Sequence, residues 1–124
     1  MKRIYTYGHQ HVERNITIAD IIANKKNKVK MTQVTAQNKE EAEILSDQNI
    51  DMIITGSDTY EDVRQGAPNT FITAALFAGR FVTKDDILKG AIDVAMKGAD
   101  SVLTPRSPET VSYTHLRAHE TGYN

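Results

Sequence analysis

Apolar and polar positions follow two alternating periods from residue 29 onward. Short runs rich in β-branched residues, "VKMTQVT" at 29–35, "DMIIT" at 51–55, "NTFITAALF" at 69–77 and "SVLTP" at 101–105, read as strands. The stretches between them carry helical spacing and helical punctuation. In "NKEEAEILSDQN", Asn38 is a good N-cap and Glu41 stands at capping-box spacing. In "GSDTYEDVRQG", Asp58 is the expected cap, Glu61 follows three residues on, and Gly66 is the expected stop. "TKDDILKGAIDVAMKG" is the clearest helix. Thr83 caps it, Asp85 and Asp86 suit the positive end of the helix dipole, Ile87, Ala91, Val94 and Ala95 make an apolar face, and Gly98 ends it. Upstream, "ERNITIADIIANKKNK" predicts one more helix, capped by Thr17. Downstream, "RSPET" offers Ser107 as N-cap with Pro108 at the first helical position.

The chain therefore holds four strand-then-helix steps, the last only begun, preceded by an arm and a helix. Caps after each strand and helices that return to the next strand point to an α/β fold, a parallel sheet covered by helices. Two architectures fit: a doubly wound domain, or the first half of a (β/α)₈ barrel, which normally takes about 250 residues.

Composition narrows the class. The chain has 124 residues, 40% hydrophobic and 25% charged, as expected for one domain. Fifteen basic and 16 acidic residues are mixed along it, so no basic stripe suggests nucleic acid. "NKKNKVK" reads as a solvated turn, and Met31 and Met52 read as core fillers. There is no cysteine, hence no disulfide or thiolate metal site. No apolar run is long enough to span a bilayer, and the basic start is not followed by a signal-peptide core, so the expected location is the cytoplasm.

One stretch carries a resemblance. "VRQGAPNTFITAALF", with "MTQVTAQN", "MIITGSD" and "KGADSVL", resembles the amino-terminal half of the ketopantoate hydroxymethyltransferase family, in the phosphoenolpyruvate mutase and isocitrate lyase superfamily. The resemblance covers roughly 13–111 and is closest to short, divergent members. It implies a truncated (β/α)₈ TIM barrel containing strands one to four, with an N-terminal arm and helix. It also implies a transferase that adds a one-carbon unit from methylenetetrahydrofolate to a 2-oxo acid held on magnesium, in pantothenate biosynthesis. Magnesium needs hard carboxylate oxygens, and the family supplies them after its second and third strands. Here Gly56-Ser57-Asp58 exchanges the order of acid and hydroxyl. Ala75 stands in place of the next aspartate, and Leu103 and Pro105 replace a lysine and a glutamate. The fragment is thus expected to be inactive as a transferase, with no metal site and no assignable catalytic residue.

Chemistry in a barrel sits at the carboxyl ends of the strands. Thr35, Ser57, Asp58, Arg106 and Ser107 are the expected substrate-binding residues, with Gln37 and Asn38 nearby. Arg106 can fork to a carboxylate or phosphate, so the expected partner is a small anionic metabolite. Arg64 reads as a surface charge. A metal-independent binding module of the same barrel family is the alternative reading. A receiver domain is excluded, because Gln37-Asn38 and Ala75-Leu76 supply neither its acidic cluster nor its phosphoacceptor.

The four histidines remain. His115 and His119 stand four apart beside Glu120, a spacing that suits zinc on a helix. Their surroundings, "VSYTHLRAHET", resemble translated sequencing-adapter DNA. Residues 112–124 are therefore expected to be a non-native tail and residues 1–111 the half barrel, or else the whole chain is a non-functional truncated reading frame. His9 and His11, with no further ligand nearby, read as part of the arm. Half a barrel leaves open sheet edges, so self-association is expected.

Overall fold

A computed structural model describes residues 1–77 and 79–105. It is α/β. A hairpin of β1 (Lys2–Tyr5) and β2 (His11–Arg14) comes first. There follow α1 (Ile18–Lys26), β3 (Gln33–Thr35), α2 (Lys39–Ser46), β4 (Met52–Gly56), α3 (Tyr60–Gly66), β5 (Phe71–Ala75), α4 (Lys84–Met96) and β6 (Ser101–Leu103). The hairpin is antiparallel, Lys2 opposite Arg14 and Tyr5 opposite His11. Its turn closes through the Thr6 amide on the Gln10 carbonyl at 2.8 Å, and His9 takes a φ of 63°. The arm was not expected to contain strands. Its residues are mostly exposed, so its alternation carries little hydrophobic signal.

Strands β3 to β6 form one sheet in the order β3-β4-β5-β6, every neighbouring pair parallel. The order runs without reversal, so the described strands contain no switch point of the doubly wound kind. Ile53 of β4 and Ile72 and Ala74 of β5 join a buried cluster with Ala42 of α2, Tyr60 and Val63 of α3, and Val94 of α4. The opposite face is layered by the register. Gln33, Met52 and Phe71 make one rung; Thr35, Ile54, Thr73 and Ser101 the next; Gly56, Ala75 and Leu103 the last. Met31 and Met52 are half-buried and lie outside the core cluster, so neither is the core filler expected.

The first strand of the sheet is shorter than the expected 29–35. Lys28 adopts a φ of 58°, and the Val29 amide donates back to the Asn24 carbonyl at 2.8 Å, so residues 28 and 29 belong to the exit from α1. Thr17 caps α1 in a full capping box with Asp20. The Asp20 carboxyl is held below its ordinary range by Lys2, which pairs with it, and then by the Thr17 amide. Thr83 caps α4 through the Asp86 amide. Gly98 ends α4 at a φ of 110°, a conformation that favours glycine.

Asn38 caps α2 by accepting from the Glu41 amide at 2.8 Å, but the Glu41 carboxylate takes the Gln37 amide instead of that of Asn38. The cap is local and exposed. Asn38→Ala should cost about 1 kcal/mol, read as a small shift of the urea midpoint at unchanged slope; an unshifted midpoint would show the cap to be dispensable.

Candidate functional site

The carboxyl ends of β3, β4 and β5 border an open cleft of about 600 Å³. Thr35 ends β3 on its rim and Gln37 follows in the loop to α2. Gly56, Asp58 and Thr59 come from the β4–α3 turn. Ile54, Ala75, Phe77 and Leu103 make the apolar wall. A Cβ at Gly56 would stand 2.5 Å from Cε2 of Phe77, so the exposed Phe77 ring would have to turn to admit one.

Of the expected site residues, Thr35 and Asp58 reach the cleft. Ser57 is half-buried and not among its lining residues, and its amide donates to the Ala75 carbonyl at 2.9 Å. Arg106 and Ser107 lie outside the described residues, as do His115, His119 and Glu120. Asp58 does not cap α3. Thr59 occupies the N-cap position and makes no side-chain cap bond. Asp58 is left exposed, with Oδ2 4.0 Å from a guanidinium nitrogen of Arg80. The hydroxyl of Thr59 was missed by sequence reasoning. It sits 2.6 Å from that of Thr55, four residues earlier, and donates to the Gly56 carbonyl. Its position directly before a helix was the available signal.

The described donors in the cleft do not fit magnesium. Asp58 is the single carboxylate lining it, and Ala75 ends β5 without an oxygen ligand. Among the described residues no three of His, Cys, Asp and Glu converge. The His11 ring stacks on Tyr5 at 5.0 Å between centroids.

The second cluster of charge lies at the opposite end of the sheet. Asp100, just before β6, accepts from Arg14 Nε at 2.8 and 2.9 Å, from Arg64 at 2.8 Å and from the Ile72 amide at 3.0 Å. Arg14 also donates to the carbonyls of Pro68 and Gly98, and Arg64 to those of Ala67 and Thr70. Arg64 is therefore not the surface charge expected; its side chain is 15% exposed and its partner is 36 residues away. Asn15 adds a staple, donating to the Asp51 carbonyl and accepting from the Phe71 amide. Tyr60 closes the cluster by accepting from Arg64 Nε at 2.9 Å. Burial pushes the Tyr60 phenol above its ordinary value, and Arg64 opposes that. A raised phenol favours the neutral form in the fold, so its contribution is intact below the ordinary phenol range and is lost as pH climbs through the raised value.

Every buried side-chain nitrogen and oxygen among the described residues has a partner, so this end is braced and presents no unsatisfied group to a ligand. Conserving stability at the amino end of the strands and chemistry at the carboxyl end is the division of labour expected of a βα sheet. No protein-family model matches the chain, and no curated protein is significantly similar to it. Among the described residues no helix is long and apolar enough to cross a membrane.

Proposed function

We propose that this chain is the amino-terminal half of a (β/α)₈ barrel related to the ketopantoate hydroxymethyltransferases, and that its strand-end cleft binds a small 2-oxo acid or a related anion. The observation that carries the reading is the position of the cleft. It lies at the carboxyl ends of parallel strands in sequential order, with hydroxyl and amide groups on one side and an apolar wall on the other. Thr35 and Gln37 can donate to a carboxylate. A branched aliphatic tail fits against Ile54, Ala75, Phe77 and Leu103. Asp58 alone would repel an anion, and Arg80 opposes that charge from 4.0 Å. Arg106 follows β6 in the sequence, and an arginine is the residue type that can meet a carboxylate with a bidentate pair, so in this reading it is the ligand's cationic partner. Transfer chemistry is not part of the proposal for this polypeptide, since among the described residues Asp58 is the single carboxylate lining the cleft.

Calorimetric titration with 3-methyl-2-oxobutanoate tests the reading. Thr35→Val and Arg106→Ala should each weaken binding about tenfold, the worth of one hydrogen bond to a charged group. Equal affinity in both variants and the parent, or no binding in any of them, overturns it.

A further inference from the structure

We propose that a second copy of this chain completes the sheet: β6 of each copy pairs with β3 of the other, closing an eight-stranded parallel cylinder whose mouth is one shared ligand site. The inference rests on reading the sheet as half a barrel. Strands β3 and β6 are the two edges of the described sheet, and both run in the same direction. A two-fold axis along that direction brings β6 of one copy beside β3 of its partner in parallel, and does so twice. The assembly therefore closes and leaves no edge over.

The β3 edge is prepared for pairing. Gln33, Val34 and Thr35 are all exposed. The Ala36 amide donates to Ile54 and the Thr32 carbonyl accepts from Met52, so alternation turns the backbone groups of Gln33 and Thr35 to the open side. The face opposite the helices also needs cover. Met52, Ile54, Ala75 and Leu103 lie on its rungs and remain partly or largely exposed. Eight strands give an interior that side chains just fill. The described sheet has half that number of strands, and a second copy supplies the other half. All carboxyl ends then meet at one mouth.

The chain has no cysteine, which permits a direct test on the full 124-residue polypeptide. Gln33→Cys is combined with Ser101→Cys or with Leu103→Cys and oxidised. Within one copy these positions are three strands apart, about 14 Å, too far for a disulfide. A disulfide-linked dimer from at least one pair is expected. Sedimentation should show a dimer for the unaltered chain, and Gln33→Pro, which removes an edge donor while being tolerated at an edge, should raise its dissociation constant about 100-fold at unchanged far-ultraviolet circular dichroism. A monomer at the highest soluble concentration, an open-ended polymer, or a dimer that neither cross-links nor responds to Gln33→Pro overturns the proposal. One 3-methyl-2-oxobutanoate per two chains supports it. A cross-linked dimer that binds no oxo acid leaves it standing and removes the ligand reading alone.

Discussion

Asp100→Ala should remove about 3–5 kcal/mol of stability, a large share of the total, and lower the urea midpoint accordingly. The Asp100 side chain is 4% exposed and meets two guanidiniums, that of Arg14 at 3% exposure and that of Arg64 at 15%. Removing the carboxylate strands two buried positive charges beside each other, and the Ile72 amide loses its acceptor. Breaking a buried pair from one side costs about 3–5 kcal/mol, against a total stability of about 5–15 kcal/mol for an ordinary domain. The carbonyls of Pro68, Gly98, Ala67 and Thr70 still accept from the arginines but do not neutralise them. The comparison is Lys97→Ala. Lys97 meets Glu61 at 2.8 Å and Asp93 at 3.2 Å on the surface, and these bonds, Glu61 first, hold its ammonium above the ordinary range. An exposed pair of that kind is worth under about 1 kcal/mol. Urea titrations followed by circular dichroism separate the two cases. If Asp100→Ala moves the midpoint no further than Lys97→Ala does, the cluster is not what braces the amino end of the sheet.

That cluster also marks how far the sequence was legible. Helix starts set by one residue and its near neighbours were readable: Thr17, Asn38 and Thr83 all accept the amide three residues on. The β4–α3 turn was not, because Asp58 and Thr59 are both cap-forming types and stand side by side; the helix begins one residue later than the acid suggests. Arg64 was misread for a different reason. Its local surroundings on α3 are those of a surface residue, and its role depends on Asp100 and Gly98, more than 30 residues away. The same limit applies to the site. Strand ends were predictable from β-branched runs, so Thr35 and Asp58 were placed at the cleft. Whether Ser57 faces the cleft or its border depends on how one turn is wound, and its amide is drawn to Ala75 on the neighbouring strand. The strand order came from none of these signals: both architectures give the same alternation of period, and they differ in which strands lie side by side.

Gly66→Ala should destabilise the fold by about 1–3 kcal/mol, against the usual direction of a glycine-to-alanine change in a helix. Gly66, the expected stop, is the last residue of α3 and is buried. In an exposed helix interior, alanine would gain about 1 kcal/mol over glycine. Here the new Cβ would collide with the Lys39 carbonyl oxygen and stand 2.9 Å from Cβ of Ala42 and 3.1 Å from the Glu43 amide nitrogen. Two of those three neighbours are backbone and cannot swing away, so α2 and α3 must separate, and overpacking of this kind costs about 1–3 kcal/mol beyond the helical gain. Gly90→Ala is the matched control. Its Cβ would also approach an atom at 2.5 Å, but that atom is Cε1 of the half-buried Phe81 ring, which can turn. Gly90→Ala should therefore be close to neutral. The consequence for the cleft follows from connectivity. The Lys39 amide is tied to Asp62 at 2.8 Å, and α2 and α3 each begin just after a loop that lines the cleft, at Gln37 and at Thr59. Separating the helices shifts those loops apart, so Gly66→Ala should weaken oxo-acid binding as well as lower the urea midpoint, whereas Gly90→Ala should alter neither. Equal midpoints for the two variants would show that the α2–α3 contact yields without cost and does not set the spacing of the site.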